Sequence, residues 1–134
     1  MSPEIKIVKG DEVSYWPGAG EFGTGVILIG EEHLGSEELP KRIAHEIYHT
    51  KHHRGGETWR EYLLEELEAE LWSSKVTGSP LGRWNFLYLW VKNRRKPKRE
   101  KLSSREFGQL LQQAANNTGY EGILPKVRRQ GIGW

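Results

Sequence analysis

Hydrophobic and polar positions near the N-terminus follow patterns that are typical of short β-strands. Residues 4–8 (Glu-Ile-Lys-Ile-Val) alternate polar and apolar side chains, and a second candidate strand runs from Val13 to Trp16. Residues 26–29 (Val-Ile-Leu-Ile) form an apolar, β-branched run, which predicts a third strand. The glycine-rich segment 18–25 predicts a connecting loop. The first 30 residues therefore predict a small, mostly antiparallel sheet.

The rest of the chain predicts about four helices. Apolar side chains recur at three- and four-residue spacing, as they do along one face of an amphipathic helix. The predicted apolar stripes are Ile43, Ala44, Ile47 and Tyr48 in the first helix and Leu63, Leu64, Leu67, Leu71 and Trp72 in the second. Thr58 with Glu61, and Ser103 with Glu106, have the spacing of capping boxes that start helices. The predicted helices lie at about 37–53, 58–77, 83–95 and 103–116.

Together these elements predict an α+β fold, in which the small N-terminal sheet packs on about four helices. A chain of 134 residues fits one domain, which we assign to residues 1–119. Residues 120–134 contain three Gly, one Pro and three basic residues, and predict an irregular basic C-terminal tail.

Composition narrows the possible chemistry. The chain has no Cys, which excludes disulfides, thiolate zinc sites and Cys nucleophiles, so any metal is held by His and carboxylates. Residues 1–6 show no basic region followed by an apolar stretch, so we expect no signal peptide, and no apolar run approaches the roughly 20 residues of a membrane span. We therefore expect a cytoplasmic protein that does not insert into membranes.

Five residues of the first predicted helix carry the strongest chemical signal. His45 and His49 stand at positions i and i+4, so both imidazoles lie on one helix face and can converge on one metal ion. Glu46 lies beside that face, where a carboxylate can reach a metal-bound water without binding the metal. Zinc lowers the pKa of such a water from 15.7 to about 7, and Glu46 can then accept its proton as general base.

A catalytic zinc site of this kind needs a third protein ligand. The second predicted helix offers carboxylates, of which Glu66 and Glu70 stand at i and i+4 on one face. One of them could bind the metal while the other forms a hydrogen bond with a ligand His and sets its tautomer. Spacing alone leaves Glu65, Glu66 and Glu70 open as the third ligand.

The motif His45–His49, followed by Glu66-Leu67-Glu68-Ala69-Glu70, resembles the gluzincin branch of zinc metallopeptidases. Its smallest members, the minigluzincins, and the ImmA/IrrE-type peptidases are similar over about residues 24–75. The separation of 17 residues between His49 and Glu66 (66 − 49) is near the short end for that branch. Glu70 stands where Asp or Asn is commoner.

The resemblance implies a zinc metalloendopeptidase with a zincin-like active-site helix and Zn²⁺ as cofactor. It assigns His45, His49 and Glu66 as zinc ligands, Glu46 as general base, and Glu70 as the partner of a ligand His. It also implies that a strand such as 26–29 borders the cleft and pairs with an extended peptide or protein substrate. The metzincin pattern H-E-x-x-H-x-x-G-x-x-H does not fit, because His52 occupies its Gly position and Gly55 its third His position.

A basic run at residues 92–101 allows three interpretations. It can be a solvated turn, a site for phosphate backbones, or a region that steers an acidic protein substrate. No known nucleic-acid-binding module is evident, so nucleic-acid binding is possible but not favoured. Three aromatic residues lie just before this run, and we expect most of them to be in the core: Trp84, Tyr88 and Trp90.

Two further hypotheses remain beside the peptidase. One is a non-catalytic, zinc-containing module that binds nucleic acid or protein, and the other is a latent peptidase whose cleft is blocked by residues 120–134 or by a partner. Four side chains are candidates for stabilising an oxyanion, and spacing does not choose among Tyr62, Tyr120, His52 and His53. The sequence predicts neither the substrate nor the oligomeric state.

Overall fold

The computed structural model describes residues 4–17, 25–52 and 58–134. The helices are α1 (Leu39–His52), α2 (Trp59–Thr77), α3 (Arg83–Arg94) and α4 (Ser104–Thr118). The strands are β1 (Glu4–Val8), β2 (Val13–Pro17), β3 (Gly25–Gly30), β4 (Lys126–Arg128) and β5 (Gly131–Gly133). This confirms the α+β fold with four helices and a small, mostly antiparallel sheet. Among the described helices, none combines the length and the apolar character that crossing a membrane requires.

The chain divides into two compact units, and each is described by itself. The first unit comprises Met1–Gly55 with Trp72–Ser79, and the second comprises Gly56–Leu71 with Pro80–Trp134. Helix α2 is continuous and contributes residues to both units. The assignment of residues 1–119 to a single domain stays a prediction.

The sheet of the first unit has the strand order β1-β3-β2. Strand β1 pairs parallel with β3, and β2 pairs antiparallel with it, with Tyr15 opposite Ile27. Ile27 and Ile29 lie on the same face of β3 and are buried, which explains why this segment has the most apolar pattern. The sheet contacts α1 mainly through its edge strand β2.

This strand order corrects one expectation. The segment 26–29 was expected to pair with an extended substrate, but β3 is the central strand and both of its edges are already paired. The expectation is wrong because a strand buried between two neighbours is the most apolar one, and an apolar pattern therefore marks the centre of a sheet rather than its edge.

Helix α1 begins at Leu39, near the start of the predicted range of about 37–53. Its first residues are Leu39 and Pro40, and Pro is well tolerated in a first turn because its missing N–H would have no helical partner there. Ala44 and Tyr48 of the predicted apolar stripe are buried, and the Tyr48 ring lies 5.8 Å from the ring of Trp72. These contacts hold α1 against the end of α2 within the first unit.

The core of the second unit is formed by apolar faces of α2, α3 and α4. Leu63, Leu67 and Leu71 of α2 are completely buried, in agreement with the predicted stripe. Helix α4 begins with the predicted capping box, in which Ser103 accepts from the N–H of Glu106 and the Glu106 side chain accepts from the N–H of Ser103. It ends at Gly119, whose φ of 72° is the left-handed conformation that glycine adopts readily.

The C-terminal segment is partly regular, and the expectation of an irregular tail over residues 120–134 is wrong for its last part. Strands β4 and β5 form an antiparallel hairpin in which Val127 lies opposite Ile132. Both side chains pack against the core of the second unit, and the ring of Trp134 lies edge-on to Phe86 at 6.0 Å. Three-residue strands offer too few positions for an alternating pattern to be recognisable in the sequence.

Candidate metal site

Helix α1 brings the two histidines of the motif together. The Nε2 atoms of His45 and His49 lie 3.1 Å apart, and their ring centroids are 4.9 Å apart. In a tetrahedral zinc site with Zn–N distances of ~2.0–2.1 Å, two ligand nitrogens are about 3.3–3.4 Å apart. The observed separation is close to that value, so the two imidazoles fit a shared metal ion with only a small adjustment.

A third ligand-capable group comes from α2. His45, His49 and Glu66 each offer one ligand atom, and within the described ranges these three atoms all lie within 4.8 Å of one another. Two imidazole nitrogens and one carboxylate oxygen are the donor set of many catalytic zinc sites. The structure thus brings together the three residues named as ligands.

Glu46 follows His45 directly on α1 and is half-buried. Its position one residue beyond a candidate ligand turns its carboxylate away from the face shared by His45 and His49. It is therefore placed as a neighbour of the metal position rather than as one of the ligands, and its role as general base stays a prediction.

Glu70 has a clear structural role in the second unit. Its side chain is 1% exposed, and its two carboxylate oxygens accept hydrogen bonds from the backbone N–H of Gly82 at 2.8 Å and from Asn85 Nδ2 at 2.9 Å. Gly82 is the N-cap residue of α3, so Glu70 places a carboxylate at the positive end of that helix. The predicted hydrogen bond from Glu70 to a ligand histidine stays a prediction.

Gly82 is suited to this contact by its lack of a side chain. A Cβ atom there would lie 3.0 Å from Asn85 Nδ2 and 3.3 Å from Glu70 Oε1, which is tighter than about nine in ten real Cβ contacts. A larger residue would displace one of the two groups that hold the start of α3. This role of Glu70 was not predictable from sequence spacing, because it depends on a residue twelve positions further along the chain.

The other glutamates of α2 differ from one another. Glu68 accepts a hydrogen bond from Asn117 Nδ2 at 2.8 Å, and Glu61 lies in the first turn, where its backbone N–H donates to Thr58 Oγ1 at 3.2 Å. Glu65, which spacing leaves open as a third ligand, is buried, at 8% exposure.

Two of the candidates for oxyanion stabilisation, His52 and Tyr62, make defined contacts with neighbouring side chains or backbone. The His52 ring stacks on Tyr48 at 4.0 Å, and its Nδ1 lies 3.0 Å from the Tyr48 carbonyl oxygen, to which it can donate. Tyr62 stacks on Trp59 at 5.5 Å, and its ring lies below the Lys92 ammonium. These contacts account for His52 and Tyr62 without a catalytic role.

Tyr120 is half-buried, and its pKa is raised, first by burial and then by the negative charge of Glu70. A raised pKa keeps the hydroxyl protonated at neutral pH, so Tyr120 retains a hydrogen-bond donor. His53, the fourth candidate, lies outside the described residues. No oxyanion-stabilising residue is assigned by this geometry.

Comparisons of the chain with protein-family models, with curated proteins and with solved structures found no match. The resemblance to gluzincins therefore stays a prediction, and the candidate metal site is supported by the geometry of its own residues.

Proposed function

We propose that the protein is a zinc-dependent metallopeptidase that hydrolyses peptide bonds with a water activated by Glu46, and that it acts in the cytoplasm. The observation that carries the proposal is the 3.1 Å separation of the His45 and His49 Nε2 atoms on a helix that places Glu46 beside them. The grouping of Glu66 with both histidines supports a complete set of protein ligands.

Each residue has a defined task under this proposal. His45, His49 and Glu66 hold the metal, and both histidines must be unprotonated at Nε2 to do so. Zinc, when bound, supplies a Lewis acid that makes water deprotonation possible near neutral pH. The Glu46 carboxylate accepts the proton of the attacking water and returns it to the leaving amine, which is general base and then general acid catalysis by one side chain.

The edge strand β2 is the proposed site for the substrate backbone. It lies along α1 in the first unit, and it pairs with β3 on one side only among the described strands. An extended peptide could therefore add to its outer edge by β-augmentation, in which main-chain hydrogen bonds hold a substrate of varied sequence. This assigns to β2 the role that the sequence suggested for β3.

Substitution of Glu46 separates catalysis from metal binding. The Glu46→Gln chain should bind zinc as the wild type does, while cleavage of a broad peptide library, followed by mass spectrometry, should fall by at least about 10²-fold. Glu38→Gln is the matched control, because Glu38 is an exposed carboxylate, 3.9 Å from Arg42, and its loss should leave cleavage unchanged.

The alternative, a non-catalytic zinc-containing module, predicts that the wild type itself cleaves no peptide. If the zinc-loaded wild type cleaves no peptide in the library and instead binds duplex DNA with a strong dependence on salt, the peptidase proposal fails and the binding module replaces it.

A further inference from the structure

Helix α3 has an apolar face that no part of the described chain covers well. Trp84 and Tyr88 are 80% and 61% exposed, and Leu87 and Val91 are 39% and 37% exposed. Their spacing of i, i+3, i+4 and i+7 places these four residues, here called the α3 stripe, on one side of the helix. The opposite side carries the buried residues Phe86, Leu89 and Trp90.

The exposure of the α3 stripe corrects the expectation that most of these aromatics belong to the core. Of the three aromatics in that expectation, Trp90 is buried as predicted, whereas the prediction is wrong for Trp84 and Tyr88. Helix α3 is apolar on two faces, and only one of them packs in the core of its unit. An exposed apolar face of this kind is typical of a surface that binds a partner.

Both ends of α3 are held in place. At the N-terminal end, Glu70 accepts hydrogen bonds from Gly82 and Asn85. At the C-terminal end, the buried Asn93 accepts from Trp59 Nε1 at 3.0 Å and from the Leu102 N–H at 2.9 Å, and it donates to the Leu102 carbonyl oxygen at 2.8 Å. A surface held in this way loses little conformational entropy when a partner binds.

The α3 stripe lies in a region of positive charge. Residues 83–99 contain seven basic residues and no Asp or Glu. Lys92 and Lys96 place their ammonium groups over the rings of Tyr62 and Trp59, at 4.9 and 4.5 Å. Four exposed basic residues follow the stripe and are here called the basic end: Arg94, Arg95, Lys98 and Arg99.

We propose that the α3 stripe and the basic end bind an acidic amphipathic helix of a partner protein. Apolar side chains of that helix, spaced i, i+3, i+4 and i+7, would cover the stripe, and its Asp and Glu residues would face the basic end. The proposal does not depend on zinc or on peptide hydrolysis.

Charge and shape favour this occupant over three others. Two copies of the chain would bring two regions of like charge together, which opposes self-association through this face. Nucleic-acid bases could stack on the rings of Trp84 and Tyr88 but not on Leu87 and Val91, so they would leave half of the stripe uncovered. Leu87 and Val91 are also more than half covered, so only part of the roughly 10 Å stripe projects far enough to enter a membrane interface.

Synthetic peptides test the proposal directly. The probe is a fluorescein-labelled peptide of about twenty residues, which is long enough to form a helix. Leu occupies positions spaced i, i+3, i+4 and i+7, and Glu occupies the positions that flank this apolar face. Two controls replace Glu by Lys or scramble the Leu positions. Fluorescence anisotropy is measured on the full chain carrying Glu46→Gln, so that cleavage cannot alter the probe.

The acidic helix should bind, and Trp84→Ala should weaken binding at least about tenfold, as loss of a central aromatic anchor does. Ile123→Ala is the control, because Ile123 is an exposed apolar residue, at 81%, that lies outside α3 and β2, and its removal should leave binding unchanged. Arg94→Gln with Arg95→Gln should weaken binding and reduce its dependence on salt. Tyr88→Ala provides a second test of the stripe if Trp84→Ala alters folding.

Several outcomes would overturn the proposal. These are absence of binding to the acidic helix, equal binding of the Lys peptide, or an affinity that neither Trp84→Ala nor Tyr88→Ala changes. Tighter binding to phosphatidylglycerol vesicles or to duplex DNA would assign the face to a different occupant. A dimer of the chain that Trp84→Ala dissociates would do the same.

Discussion

The Nε2 atoms of His45 and His49 face each other at 3.1 Å across one turn of α1. Helical spacing brings two side chains to one face, but it does not by itself make their ring nitrogens converge. The convergence is a property of the folded helix, in which His49 is buried and His45 is half-buried. Two histidines in this arrangement are prepared for a shared ligand.

Zinc should stabilise the folded chain through His49 and not through His52. A ligand that binds only the folded state at 100 times its Kd adds about 2.7 kcal/mol to the free energy of unfolding. Zinc should therefore raise the Tm of the wild type and of His52→Ala, whose ring is engaged with Tyr48, but not that of His49→Ala. Differential scanning calorimetry with and without zinc measures this. An equal rise in His49→Ala would exclude His49 as a ligand.

Glu66 and Glu68 provide a matched pair on α2. Glu66→Gln should lower zinc affinity at least about 100-fold, because it removes a charged ligand from the group formed with the two histidines. Glu68→Gln should leave zinc affinity unchanged, since Glu68 is engaged with Asn117. Competition with a chromogenic chelator measures both affinities. If Glu65→Gln lowered the affinity and Glu66→Gln did not, the third ligand would be Glu65.

Glu70→Ala should destabilise the second unit. It removes two hydrogen bonds to a charged acceptor at the start of α3, and the expected loss is about 3 kcal/mol of unfolding free energy in urea. Asn85→Ala removes only one of them and should cost less. If Glu70 also orients a ligand histidine, Glu70→Ala will in addition lower zinc affinity ~10–100-fold, whereas Asn85→Ala will leave zinc affinity unchanged. A Glu70→Ala chain as stable as the wild type would contradict the role at α3.

Local elements of this fold were predictable, whereas contacts between elements were not. The motif of α1, the capping box of Ser103 and the glycine that ends α4 each depend on residues close in sequence, and the structure confirms the two caps. The central position of β3 and the capping of α3 by Glu70 depend on which elements become neighbours. The exposure of Trp84 has the same origin, because a sequence pattern shows two apolar faces of α3 without showing which one is covered.

Asn93 is expected to be one of the most sensitive polar positions in the second unit. It is completely buried, and Asn93→Ala would leave the Trp59 Nε1–H and both backbone groups of Leu102 without this partner. The expected cost is about 3–4 kcal/mol of unfolding free energy. Asn117→Ala, which removes one exposed hydrogen bond, should cost less than about 1 kcal/mol. Similar urea midpoints for the two variants would contradict this view of Asn93.

The zinc content of the purified chain tests the central claim most directly. Inductively coupled plasma mass spectrometry should find one zinc ion per chain in the wild type and in Glu46→Gln, and none in His45→Ala. This pattern would place the metal on the face shared by His45 and His49, with Glu46 beside it. Absence of stoichiometric zinc from the wild type, or its full retention in His45→Ala, would contradict the account.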